Sequence, residues 1–173
     1  MTENLFYASE IIHDIKIDII ASATGIRKIL LNKNFKTDDG IEKVSSDDPI
    51  VADAFNQLKE YFNRKRETFD LQLEIIGTDF QKKVWNELIK IPYGETISYH
   101  QLAIKLGDKK SIRAAASTNG ANPLSIVIPC HRVIGSDGNL VGYGGGLDVK
   151  KKLLELEGSW SLNLFANDEK KVY

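Results

Sequence analysis

A single cysteine, Cys130, stands in the run Ile128-Pro-Cys-His-Arg132. A thiol attacks as thiolate, so a nucleophilic cysteine needs a base or positive potential beside it. His131 can serve as the base, and Arg132 can add positive potential. Pro129 fixes the backbone immediately before the thiol and so gives it a defined direction. The competing reading is a small buried hydrophobe at the end of an apolar run, with a histidine beside it by coincidence. Composition and this run alone favour the competing reading.

Composition narrows the chemistry available. The chain has 173 residues, enough for one large domain or two small ones. Its 42% apolar and 27% charged residues are ordinary for a globular protein and argue against disorder. One cysteine forms neither an internal disulfide nor a cysteine-rich zinc site, and His13, His100 and His131 lie far apart. No metal and no cofactor are therefore expected. Met1-Thr-Glu-Asn4 lacks the basic start and apolar core of a signal peptide, and no apolar run reaches the length of a membrane span. The expectation is a cytoplasmic protein with no membrane contact, nucleoid-associated if prokaryotic. Charge is unevenly placed: residues 1–76 carry 10 basic and 14 acidic side chains, and residues 77–158 carry 11 and 8. A polyanion can meet the second half, although this excess is equally that of a solvated face.

The elements that must position Cys130 follow from periodicity. Ile15, Ile17 and Ile19 alternate with polar residues as a half-buried strand, and residues 26–31 form a second strand after a turn at 21–25. Residues 32–48 read as a loop. Asp48 and Pro49 start a helix whose Val51, Phe55, Leu58 and Phe62 share one face. Leu71, Leu73 and Ile75 alternate as a further strand. This half shows no nucleophile, metal cluster or phosphate loop, which leaves it a structural role.

Beyond Gly77, Thr78 or Asp79 can cap a helix that buries Phe80, Val84, Trp85, Leu88 and Ile89. Ser98 caps a short helix with Leu102, Ala103 and Leu106 inward and Gly107 at its end. Ser111 caps another over residues 112–119. Two short helices across a tight turn form a helix-turn-helix pattern. Ala114, Ala115 and Ala116 allow the second helix close approach to another surface, with Arg113 projecting near its start. Six glycines lie between residues 135 and 146, around Tyr143, and permit close backbone approach to a ligand. No strand-turn-helix order frames them, so they are not a dinucleotide fingerprint. Asp148 can cap a last helix with Val149, Leu153, Leu154 and Leu156 inward.

The second half resembles the O6-alkylguanine-DNA alkyltransferase family, the methylated-DNA–protein-cysteine methyltransferases. The resemblance rests on Ile128-Pro-Cys-His-Arg-Val133, Ala121-Asn-Pro123 and Gly142-Tyr-Gly-Gly-Gly146. Phe80-Gln with Val84-Trp, Ile91-Pro-Tyr-Gly-Glu-Thr-Ile-Ser-Tyr99, Arg113-Ala-Ala and Leu153-Leu-Glu-Leu-Glu-Gly158 add to it. These matches run in one order over about residues 77–158, and they reverse the reading of Cys130.

The resemblance implies an α/β N-terminal domain over residues 1–76, ribonuclease H-like in fold. A mainly α C-terminal domain follows over 77–158, with a winged-helix-like helix-turn-helix, and then a tail over 159–173. It implies irreversible, stoichiometric transfer of an alkyl group from O6-alkylguanine in DNA to Cys130, with O4-alkylthymine as a further substrate. His131 matches the base acting through a water, Glu157 the carboxylate orienting it, and Asn122 the brace of the network. Tyr99 matches the tyrosine that donates to the flipped base and helps rotate the phosphate out, and Arg113 the arginine that fills the gap in the base stack. Ala114, Ala115, Ser117 and Arg132 would face the DNA. Val133, Tyr143, Gly144 and Gly145 would line the base pocket, with the Cys130 and Val133 carbonyls accepting from the guanine amine. The implied partner is double-stranded DNA met through the minor groove by a monomer, the base being flipped out.

Gly144 departs from family members that carry serine there, and no zinc site is expected in the N-terminal domain. Ser125 stands where a bulkier residue would narrow the pocket. One alternative is a non-catalytic alkyltransferase-like protein that binds the lesion, against which the presence of Cys130 weighs. Another is a thiol hydrolase or redox enzyme, against which the helix-turn-helix and the lack of a second cysteine weigh.

Overall fold

The first half of the chain is organised by its isoleucine-rich strands. In the structure, a computed structural model that describes residues 4–33, 35 and 41–160, four strands form one sheet. They are β1 (Leu5–Ile12), β2 (Ile15–Ser22), β3 (Gly25–Leu31) and β4 (Ile41–Lys43), in the order β3-β2-β1-β4. β1/β2 and β2/β3 are antiparallel and β1/β4 is parallel. His13 and Asp14 link β1 to β2 with φ of 48° and 65°. Two residues at positive φ match the twist of a tight hairpin. The alternation predicted for β2 is exceeded, because Asp18 and Ile20 are buried along with Ile17 and Ile19. Asp18 Oδ1 accepts from the Tyr7 hydroxyl at 2.8 Å, and its Oδ2 is ion-paired with Lys16 at 3.1 Å.

Helix α1 (Pro49–Phe62) packs on this sheet. Asp48 caps it through the Ile50 amide, as expected. Val51, Phe55, Leu58 and Phe62 are all buried, each contributing about 1.5–3 kcal/mol relative to exposure. Tyr61 is fully buried beside them.

The second half consists of α2 (Asp79–Ile89), β5 (Ile97–Ser98), α3 (Tyr99–Lys105), α4 (Ile112–Gly120), β6 (Val133–Ile134) and α5 (Leu147–Leu156). Thr78 and Gln81 form a reciprocal capping box on α2, and Ser98 and Gln101 form one on α3. Gly107 has φ +86°, the left-handed conformation that ends α3. Gly77 is required by packing, since a Cβ there would lie 2.6 Å from the Trp85 ring.

Several elements differ from the sequence expectation. β1 is a full strand in a stretch where no element was expected, and β4 lies within the stretch read as loop. Residues 34 and 36–40 of that stretch lie outside the described residues. Residues 71–75 are extended but form only the bridge Ile26↔Leu73, with Ile26 bonding Gln72 and Glu74. Phe80 and Ile89 are exposed at the two ends of α2. Ser111 makes no side-chain cap, because a 3-10 turn at Lys109–Ser111, capped by Asp108, comes first. α5 begins at Leu147, so Asp148 lies inside the first turn, where its charge suits the helix N-terminus without capping it. Of the tail, residues 161–173 lie outside the described residues. Among the described residues no helix is long and apolar enough to cross a membrane.

The two halves are joined through backbone. The Ile29 amide donates to the Pro123 carbonyl at 2.8 Å, and the Ser125 amide donates to the Ile29 carbonyl at 3.1 Å. The segment leading to Cys130 therefore lies along the edge of β3.

Candidate active site

Cys130 begins a 3-10 turn, Cys130–Arg132, whose three side chains are all buried. The loop before it is closed by Asn122. Its Oδ1 accepts from the Leu124 amide at 2.9 Å, and its Nδ2 donates to the Ile128 carbonyl at 2.7 Å and to Cys130 Sγ at 3.0 Å. Ile126, in the middle of the loop, holds φ at +74° and is buried. A β-branched residue is strained there, so its surroundings must hold it. Burial pushes the Cys130 thiol pKa up, while the Asn122 donor and the Lys150 charge oppose that rise. Protonated thiol is thus the resting form, and ionising it needs a base.

Glu157, just beyond α5, gathers the charged part of the site. Its Oε1 meets His131 Nε2 at 2.8 Å, Arg132 Nη2 at 2.9 Å and the Tyr61 hydroxyl at 2.7 Å. Its Oε2 accepts from Arg132 Nε at 2.9 Å. Burial acts to raise the Glu157 pKa, but the His131 and Arg132 hydrogen bonds and charges outweigh it and hold the carboxyl at about 2. Burial also depresses the His131 pKa, against the pull of Glu157. A carboxylate only accepts, so neutral His131 carries its proton on Nε2. Its Nδ1 is then the basic nitrogen, and this buried atom has no hydrogen-bond partner among the described residues.

The parallel β5–β6 pairing sets Ile97 against Val133 and Ser98 against Ile134. It thereby brings the start of α3 beside the residues following Cys130. Tyr99 and Arg113 line a cleft of about 460 Å³, together with Ala116, Val141, Tyr143 and Gly144. Arg113, Ala114 and Ser117 are exposed on α4. The Tyr143 hydroxyl is buried, and burial raises its pKa. Among the described residues the hydroxyl has no hydrogen-bond partner. At Gly145 a Cβ would stand 3.1 Å from the Leu31 Cβ and 3.2 Å from the Tyr143 ring, so the glycine loop packs tightly against β3.

Two expectations are corrected. Arg132 does not face outward. It is 6% exposed, bonds Glu157 through two nitrogens and donates to the Ile91 carbonyl at 2.6 Å. The planar guanidinium fork matches a carboxylate, which makes burial of the pair tolerable. Ala115 is fully buried, because it lies on the inner face of α4. A carbonyl oxygen has two lone pairs, so the Val133 carbonyl, which accepts from Lys150 Nζ at 2.6 Å, remains able to accept a second donor.

Three side chains at the site escaped the sequence reading. Tyr61 comes from the half read as purely structural, Asn119 from α4 and Lys150 from α5. Each carries a polar group on an apolar helix face, which signals a buried group needing a partner. Lys150 Nζ also donates to the Val141 carbonyl at 2.8 Å, and burial lowers its pKa to about 8.

Residues 79–159 match the family described as 6-O-methylguanine DNA methyltransferase, DNA binding domain. Residues 14–75 match the description 6-O-methylguanine DNA methyltransferase, ribonuclease-like domain. A methylated-DNA–protein-cysteine methyltransferase from Methanosarcina barkeri is 54% identical over 108 residues, which span 62% of this chain and 68% of the relative. One from Methanosarcina acetivorans is 42% identical over 135 residues, spanning 78% and 86%. The crystal structure of the Mycobacterium tuberculosis OGT in complex with DNA is similar at a TM-score of 0.81 and 36% identity. That match covers 89% of this chain and 93% of that one.

Proposed function

Because the chain belongs to the 6-O-methylguanine DNA methyltransferase family, we propose that it repairs DNA directly by moving the alkyl group of O6-alkylguanine onto Cys130. The thiol proton passes through a water to His131 Nδ1. The thiolate attacks the alkyl carbon in line, the S–C bond forms as the C–O bond breaks, and the electron pair stays on the base. The guanine ring takes up one proton from water as His131 gives up the one it gained, so guanine is restored and the protons balance. The thioether is stable, so each protein acts once, with no cofactor.

The observation that carries this reading is the hydrogen-bonded set of Asn122 on Sγ and Glu157 on His131, around a thiol that burial keeps protonated. It is a nucleophile–base–orienter arrangement. Double-stranded DNA is the partner, met through its minor groove by a monomer. Arg113, Ala114 and Ser117 meet the DNA, and the extruded base enters the cleft between Tyr99 and Tyr143. The Gly144–Gly145 loop lies over the base. Residues 1–76 and 77–158 act as two domains, and the protein works in the cytoplasm, beside the nucleoid in a prokaryote.

The test is duplex DNA carrying one labelled O6-methylguanine. The expected result is one methyl per protein, on Cys130, and then no further transfer. Label retained on DNA, or repeated turnover, would overturn the proposal.

A further inference from the structure

Asn119 lies on the inner face of α4 and is 2% exposed. Its Nδ2 is 3.3 Å from the Cys130 carbonyl and 3.2 Å from the Tyr99 hydroxyl. A carbonyl oxygen can only accept, so the atom facing it must be the amide nitrogen, and the assignment is fixed by chemistry. The same nitrogen therefore donates its second hydrogen to Tyr99. The Tyr99 hydroxyl accepts there, and its own proton must point elsewhere. Tyr99 lines the cleft, which is where that proton can go. The Asn119 Oδ1 is buried without a partner among the described residues, so its donor side alone holds the amide.

We propose that Asn119 is a positioning residue that turns the Tyr99 hydroxyl into a donor aimed at the flipped base and holds it in register with the Cys130 carbonyl. The inference rests on the reading of the cleft as the base pocket. An O6-alkylguanine, which has no hydrogen on N1, presents its exocyclic amine as a donor, flanked by the ring acceptors N1 and N3. An acceptor (the Cys130 carbonyl) and a donor (the Tyr99 hydroxyl) bound to one amide group match that amine and an adjoining ring nitrogen. N1 adjoins the alkylated oxygen at the reacting edge, so N3 is the acceptor left to Tyr99. Adenine has no amine at that position, so the pair selects guanine.

The decisive experiment follows alkyl transfer to Cys130 by intact protein mass, with free O6-benzylguanine and its 3-deaza analogue, in which N3 is replaced by C–H. In the unaltered protein the analogue should react about tenfold more slowly, the cost of leaving one donor unpaired. Asn119→Asp is nearly isosteric, but it accepts from the Tyr99 hydroxyl and turns the proton away from the base. The two substrates should then react within about twofold of each other, because the donor whose loss the analogue reports has already gone. Asn119→Ala, which frees the hydroxyl, should reduce the ratio at least threefold, to about three or less, and serves if the aspartate variant does not fold. An unchanged ratio in a variant that still transfers alkyl overturns the inference, as does equal reactivity of the two bases in the unaltered protein. No transfer from either base, or from alkylated DNA, would instead remove the function on which the inference rests.

Discussion

Tyr61 and Glu157, 96 positions apart, share a hydrogen bond of 2.7 Å from the Tyr61 hydroxyl to Oε1 of the carboxylate. That oxygen is also the one facing His131 Nε2. A side chain of the first half thus reaches the group that orients the candidate base. The same half supports the Cys130 loop through Ile29. The sheet and α1 therefore hold the site from two sides.

Tyr61→Phe keeps the ring packing against Phe62, Phe69 and Tyr93 and removes only the donor. A hydrogen bond to a charged group contributes about 1.5–3 kcal/mol, and the loss should appear as a lower urea midpoint. Glu157 loses one stabilising donor and holds the His131 proton more firmly. The acid limb of the transfer rate should move to higher pH, with DNA affinity unchanged. An unshifted pH profile would contradict the link from Tyr61 to His131.

Glu157→Gln leaves Arg132 buried without its counter-charge. Breaking a buried ion pair on one side costs about 3–5 kcal/mol. Adding Arg132→Met should recover part of that loss, because neither charge then remains buried. Transfer should stay impaired in the double variant, since His131 still lacks its carboxylate. Chemical denaturation and single-turnover rates, measured together, separate the two effects.

Stability should fall in acid. Glu157 sits at about 2 when folded, against its ordinary 4.5, so the unfolded chain takes up the proton first as pH drops. The stabilisation is complete above about 4.5 and is lost as pH falls toward 2. His131 is depressed too, by burial, and its contribution has the same sign below its ordinary 6.5. Unfolding free energy measured against pH should therefore decline below about 6.5 and steepen below about 4.5. A flat profile between 6.5 and 3 would contradict these two environments.

Arg113→Ala removes an exposed side chain at the cleft while leaving the buried residues around Cys130 untouched. Repair of duplex DNA should fall at least about tenfold, as expected when a side chain needed to hold an extruded base is lost. Reaction with free O6-benzylguanine should stay within about twofold, since no base has to be extruded. Equal losses on the two substrates would remove Arg113 from base extrusion.

Much of the fold is legible in local pattern. The Asp48–Pro49 start, the Thr78 and Ser98 caps, the stripe of α1 and the Gly107 stop depend on residues within one or two turns of each other. The Cys-His-Arg run offered Cys130 and His131 only as candidates; the resemblance of residues 77–158 to a known family is what brought Asn122 and Glu157 forward with them. Short pairings were not legible: β4 has three residues and β5 and β6 have two each, too few for any period to register.

The chain's order of residues determined which chemistry is available: one thiol, one histidine beside it, and one carboxylate at the end of α5. Tertiary structure alone decided how those groups are used. Arg132, adjacent to His131 and rich in donors, could as readily have met a phosphate. It is buried on Glu157 because the turn at Cys130–Arg132 directs it inward, where an unpaired charge would be costly and a bidentate carboxylate is present. Tyr61 and Asn119 joined the site for the same reason. A buried polar group must find a partner, and which partner it finds depends on what the fold places within about 3 Å, not on its neighbours in sequence.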